Sequence, residues 1–227
     1  MAEQIVLITG ASGGLGPAVT RAFLASGAVV AGSSRRIAES AFAHANFQAF
    51  PADLLDPAQA AGLVDAVIAK NGRIDALIHV AGGFSGDALH DTSDEVWTRM
   101  MDLNLRAAFH IFRAVVPPMR RAGRGRIVAI ASRAAVEPAA GVAAYAASKA
   151  AMLSLIHSIA LENRDAHITA NAILPGTIDT EANREWGSAA DRAKWVSPDR
   201  IASVALFLAS DAAAEVNGAA LPMYGGA

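Results

Sequence analysis

Tyr145 and Lys149 stand four residues apart in Tyr145-Ala146-Ala147-Ser148-Lys149. On a helix, positions four apart share a face, so the phenol and the ammonium become neighbours. A nearby ammonium favours the phenolate and lowers its pKa from about 10, which makes Tyr145 a usable proton donor or acceptor near neutral pH. Chance is a weaker explanation here than in most chains. Tyr145 and Tyr224 are the only tyrosines, and Lys70, Lys149 and Lys194 the only lysines. An incidental helix-face pair is the competing reading. Ser132 lies upstream, at the end of a strand-like run. Strand ends of an open α/β sheet face the ligand crevice, where a hydroxyl can hydrogen-bond a substrate carbonyl oxygen. Taken alone, Ser132 would serve equally well as a cap or turn residue.

A second constellation is Thr9-Gly10-Ala11-Ser12-Gly13-Gly14-Leu15-Gly16, set between a strand-like run and a helix-like segment. Glycines there allow a tight turn and let backbone N–H groups approach a pyrophosphate at a helix N-terminus. Their spacing departs from the common G-x-G-x-x-G, and an ordinary glycine-rich turn competes.

These groups need a scaffold to converge. The runs 5–9, 29–33, 47–51, 76–80, 126–131, 168–174 and 220–223 read as short strands. Alanine-rich segments at 17–26, 57–71, 94–119, 145–161 and 198–209 read as helices between them. Pro17, Pro57 and Pro198 suit first helical turns, and Asp56 and Ser197 suit N-caps. Alternating strands and helices predict a parallel sheet covered on both faces. The chain has 227 residues, enough for one large α/β domain, and 53% of them are hydrophobic. No unbroken apolar run approaches about 18 residues, so no membrane span is expected. Met1-Ala2-Glu3-Gln4 lacks the basic stretch of a signal peptide. A net charge of −2 gives no global reason to bind nucleic acid or anionic lipid. The one basic run, 120–126, reads as a solvated loop before a strand. Without cysteine there is no disulfide framework, and no histidine spacing suits a metal, so none is expected.

Together these motifs resemble the short-chain dehydrogenase/reductase family, including its 3-oxoacyl-[acyl-carrier-protein] reductase-like members. The resemblance implies one Rossmann-type, doubly wound α/β domain over 1–227, with a seven-stranded parallel sheet and a short lid at about 181–197. It implies NAD(P)(H)-dependent hydride transfer to or from a carbonyl or secondary alcohol. Ser132, Tyr145 and Lys149 match the family's catalytic serine, tyrosine and lysine. Asn104 matches its helix asparagine, which supports a water in a proton relay to the lysine. For the cofactor, Gly10, Ser12, Gly13, Gly14, Leu15 and Gly16 match the glycine loop. Asp53 and Leu54 match the adenine position, and Ala81, Gly82 and Gly83 the approach to the adenosine ribose. Pro175, Gly176, Ile178 and Thr180 match the stretch that meets the nicotinamide carboxamide. The acidic position of NAD-type relatives falls on Ser34, and Arg35 and Arg36 follow it. An arginine grips a 2′-phosphate with two parallel hydrogen bonds, so NADP(H) is expected to be preferred, with NAD(H) possible.

Two places depart from the family pattern. His79-Val80-Ala81-Gly82 replaces the usual Asn-Asn-Ala-Gly, which removes side-chain amides that tether strands. His79 as a base is a minor alternative, since Tyr145 already fills that role. The segment between Thr180 and Pro198 is short, which suggests a small or slender substrate. Its Trp186 and Trp195 either cover that substrate or close the lid on itself. Val80-Ala81-Gly82-Gly83 and the stretch from Leu174 to Arg184 are also similar to dihydropteridine reductases, so pterin reduction is an alternative. A non-catalytic dinucleotide sensor is another. A cytoplasmic homotetramer or homodimer with no nucleic-acid or membrane partner completes the expectation.

Overall fold

The computed structural model describes residues 4–137 and 139–226. Met1, Ala2 and Glu3, on which the reading of the N-terminus partly rests, lie outside them. Seven parallel strands form one sheet: β1 (Ile5–Thr9), β2 (Val29–Ser33), β3 (Phe47–Ala49), β4 (Ala76–His79), β5 (Gly125–Ile130), β6 (Ile168–Pro175) and β7 (Ala220–Met223). Their spatial order is β3-β2-β1-β4-β5-β6-β7. Chain direction across the sheet reverses between β1 and β4, so a crevice opens beyond their C-terminal ends.

Helices cover both faces, and the strands are correspondingly apolar; β1 and β6 are buried along their whole lengths. On one face, α2 (Pro57–Asn71), α4 (Ala107–Ala122) and α5 (Ala143–Glu162) bury Leu63, Val67, Ile111, Phe112, Met152 and Ile156. On the other, α1 (Gly16–Ala25) and α8 (Pro198–Ala209) bury Val19, Phe23, Ile201 and Leu208. Asp56 caps α2 by accepting from the Ala58 and Gln59 amides, and Ser197 caps α8 by accepting from Asp199.

The expected helix over 94–119 is three pieces: α3 (Asp94–Met101), a π-helical turn at Asp102–Arg106, and α4. Hydrophobic spacing does not reveal the wider turn, and α4 runs through Pro117 and Pro118 to a left-handed cap at Gly123. Two further helices, α6 (Glu181–Arg184) and α7 (Ala189–Arg192), form within the lid segment. By length and composition α5 is apolar enough to cross a membrane, although polar residues interrupt its sequence. Here it packs along the sheet, with Met152, Leu153 and Ile156 in the core.

The basic run 120–126 is more than a solvated loop. Arg120 pairs with Asp165 at 2.7 Å and Arg124 pairs with the mostly buried Asp75. Arg126 bonds the His167 carbonyl at 3.2 Å. The arginines tie the start of β5 to its neighbours.

Candidate active site

A cleft of about 870 Å³ opens at the crevice. The loop from β1 to α1 contributes Gly10, Gly13, Gly14 and Leu15 to its lining, and the end of β4 contributes Ala81, Gly82 and Gly83. Ser132 enters from the end of β5, Tyr145 and Lys149 from α5, and Pro175, Gly176, Ile178 and Thr180 from the end of β6. Ser12, Gly16, Ser34, Arg35, Asp53, Leu54 and Asn104 lie outside that lining.

The glycine loop is tight. Gly10 has φ +73°, and a Cβ there would stand 2.6 Å from the Ala81 nitrogen. A Cβ on Gly16 would stand 2.1 Å from the Gly10 carbonyl oxygen, so α1 begins pressed against the loop. Leu15 occupies the N-cap of α1 and offers no capping side chain. Pro17 has no N–H and Ala18 donates to the Leu15 carbonyl at 3.2 Å, so the N–H groups left for an anion are those where the loop enters the helix, at Gly14, Leu15 and Gly16, and that cradle fits a pyrophosphate. Ser12 and Ser34 bond through their hydroxyls at 2.7 Å, which ties the loop to the end of β2. Arg35 and Arg36 are exposed beyond it, with no side-chain partner among the described residues. One Asp53 oxygen accepts from the Leu55 amide at 3.0 Å. The Leu54 side chain belongs to the core, so only its backbone is offered to a ligand; its carbonyl accepts from His110 Nδ1 at 2.8 Å.

Tyr145 and Lys149 do share a face of α5, but the phenol pKa is raised, against the lowering that their spacing predicts. Its Nζ donates to the Ile130 carbonyl at 2.9 Å and lies 6.0 Å from the Tyr145 ring centre. Burial lowers Lys149 itself from 10.5 to about 8. Burial also raises the Tyr145 pKa, and only the hydrogen bond with the Ser132 hydroxyl pulls it back. Ser132 additionally caps a short turn, accepting from the Ala134 amide at 3.2 Å. The cap reading of that serine therefore holds, and the residue also lines the cleft.

Asn104 sits in the π-helical turn, fully buried. Its Oδ1 accepts from the Gly83 amide at 2.9 Å, and its Nδ2 donates to the Gly83 carbonyl at 3.0 Å and to Ser148 Oγ at 3.1 Å. Ser148 Oγ donates in turn to the Tyr145 carbonyl at 2.7 Å. Asn104 thus pins the loop after β4 to α5. A Cβ on Gly82 would stand 2.7 Å from Asn104 Oδ1 and 3.2 Å from Lys149 Nζ, so the position admits only glycine without movement.

His79 supplies the strand tether that the missing asparagines left in question. Its Nδ1 bonds Thr9 Oγ1 at 2.8 Å, joining β4 to β1. The ring is fully buried and edge-on to Phe112, at 5.3 Å between centres. Burial, seconded by Lys149, lowers its pKa to about 3. A ring that lies away from the cleft lining and is too weakly basic to take up a proton near neutral pH is no general base there.

The remaining wall is aromatic. Phe84 stands edge-on to Tyr145 at 5.0 Å, and Trp186 packs on Trp195 at 5.2 Å. Both tryptophans line the cleft, so they close the lid on itself and face the site at once. Arg133 donates to Glu137 at 2.6 Å and stacks over the Tyr224 ring at 4.8 Å. Sequence reasoning missed Phe84, Arg133 and Glu137. The four-residue spacing of Arg133 and Glu137 was an available signal; nothing local marks Phe84, whose place depends on the loop after β4.

A family model described as short chain dehydrogenase matches residues 4–191. The 2,3-dihydro-2,3-dihydroxybenzoate dehydrogenase of Escherichia coli (strain K12) is 33% identical over 229 residues, covering 93% of this chain and 91% of that one. The 3-oxoacyl-[acyl-carrier-protein] reductase of the same organism is 31% identical over 235 residues, covering 98% and 96%. Among solved structures, ElxO with NADP bound matches with a TM-score of 0.93 at 25% identity, covering 99% of this chain and 98% of that one.

Proposed function

The chain belongs to the short-chain dehydrogenase/reductase family, and on that premise we propose that Tyr145 is the proton donor and acceptor in NAD(P)(H)-dependent interconversion of a carbonyl and a secondary alcohol. The observation that carries this reading is the convergence of Tyr145, Ser132 and Lys149 in the cleft that the glycine-rich loop leading into α1 also lines. The nicotinamide, when bound, supplies or accepts the hydride.

The chain does the rest. Gly10 to Gly16 and the first turn of α1 bind the pyrophosphate. Asp53 and the Leu54 backbone meet the adenine, Ala81 to Gly83 the adenosine ribose, and Pro175, Gly176, Ile178 and Thr180 the carboxamide. Lys149 holds the nicotinamide ribose, and its charge favours the phenolate once the proton has left. Ser132 donates to the substrate oxygen. Tyr145 delivers the phenolic proton to that oxygen in reduction and removes it in oxidation. Asn104 keeps Gly83 and α5 in register for these contacts.

NADP(H) is the preferred cofactor, with NAD(H) accepted. What supports this is the neutral Ser34 at the end of β2 and the exposed, unpaired Arg35 beside it. The chain works as one domain with a lid at 181–197, in a cytoplasmic homotetramer or homodimer, without nucleic acid or membrane. The test is a panel of ketones and secondary alcohols followed at the absorbance band of the reduced nicotinamide, with both cofactors. Turnover of ketones with NADPH is expected; absence of turnover across the panel contradicts the reading.

A further inference from the structure

The substrate side of the cleft is walled by rings that the fold holds outward. Phe84 is 66% exposed and Trp186 67% exposed, yet both line the same cleft as Tyr145. Large apolar side chains gathered in a concavity mark a ligand surface. Phe84 packs edge-on against Tyr145, and Trp186 packs on Trp195. A Cβ on Gly86 would stand 3.2 Å from the Phe84 ring, and one on Gly187 would meet the Trp195 ring at 2.2 Å, so glycines leave room for both aromatic groups. The lid beneath Trp186 is braced by Arg192, which donates to the Gly187 and Arg184 carbonyls at 3.0 Å each. Val196 donates to the Thr177 carbonyl at 2.8 Å, anchoring the far end. Elsewhere in the cleft, the paired Arg133 and Glu137 cancel each other's charge and lie against the Tyr224 ring.

We infer that this clamp selects a ketone, or its secondary alcohol, carried on a flat ring that packs against the faces of Phe84 and Trp186. The inference rests on the carbonyl–alcohol reading of the cleft. Acetophenone and 2-octanone test it, being methyl ketones of equal carbon number that differ in the ring. Acetophenone is expected to win in kcat/KM with NADPH by about tenfold, the scale of aromatic contacts beyond simple area burial. Trp186→Leu and Phe84→Leu should each erase most of that preference, chiefly through KM. Calorimetry offers a readout without turnover: benzamide should bind the protein–NADP complex, and Trp186→Leu should weaken that binding by a similar factor. Equal kcat/KM for the two ketones overturns the clamp, as does a preference that survives both substitutions; either leaves the carbonyl reading standing. No turnover of either ketone or of the matching alcohols overturns the carbonyl reading and the clamp with it.

Discussion

Gly82 is a tight point of the site at the scale of single residues, beside two of its polar side chains. Alanine there must displace Asn104 or Lys149, since its Cβ would sit 2.7 Å from one and 3.2 Å from the other. Misplacing a catalytic group by about 1 Å costs on the order of a hundredfold in rate, and Gly82→Ala is expected to lower kcat by about that much. Stopped-flow rates with saturating cofactor check it; an unchanged kcat would mean that the loop yields freely. Lys149 carries a pH signature. Its folded-state pKa is about 8 against an ordinary 10.5, so between those values the unfolded chain holds a proton that the folded chain has released. Stability therefore rises with pH across that window, and the penalty is full below pH 8. Lys149→Met abolishes this rise. Urea unfolding at pH 7.5 and 9.5 should show the wild type gaining about 2 kcal/mol relative to the variant. A constant difference would mean that burial does not depress this lysine. At this scale much was legible in sequence, because helix spacing and backbone demand are local: Tyr145 with Lys149, and the glycine loop. The direction of the Tyr145 shift was not, because it depends on how deeply α5 is buried and on which carbonyl takes the ammonium.

Among the elements, the end of β2 and the π-helical turn matter most. Ser34 follows β2 directly, bonded to Ser12, and Arg35 projects beyond it. One cation without an opposing carboxylate should favour NADPH about tenfold to a hundredfold in kcat/KM, or about 1.4 to 2.8 kcal/mol. Ser34→Asp combined with Arg35→Ala is expected to invert the preference. A wild type that favours NADH would show these arginines to be solvated loop residues only. The π-helical turn was not legible. Sequence periodicity over 94–119 gave one continuous helix, and the extra residue in the wider turn is what seats Asn104 fully buried against Gly83. The lid was legible as a short segment, but its two small helices and their arginine braces depend on contacts with carbonyls close by in the fold.

Across the whole molecule, parallel pairing and two-sided burial follow from the alternation of apolar runs and helical segments, which is why these features of the sheet were readable from sequence, whereas the strand order was not. Assembly is a different matter, since the same apolar residues serve core and interface alike. Trp97 on α3, Phe109 on α4, Leu161 on α5 and Phe207 on α8 remain 42–62% exposed. Scattered apolar exposure is ordinary in a single chain, but its presence on several helices suits burial between copies. A homotetramer is expected by light scattering at micromolar concentration; a monomeric mass would reject it.

One proton at the Tyr145 oxygen is the centre of the proposed chemistry. Tyr145→Phe keeps the ring, its edge-on contact with Phe84 and the glycine cradle, and removes only the hydroxyl. Parallel measurement of steady-state turnover and calorimetric NADPH affinity tests the claim most directly. Turnover should fall by on the order of a thousandfold or more, the scale of a lost acid–base group, while affinity changes little. Undiminished turnover would contradict the assignment of Tyr145 as the acid and base of this site.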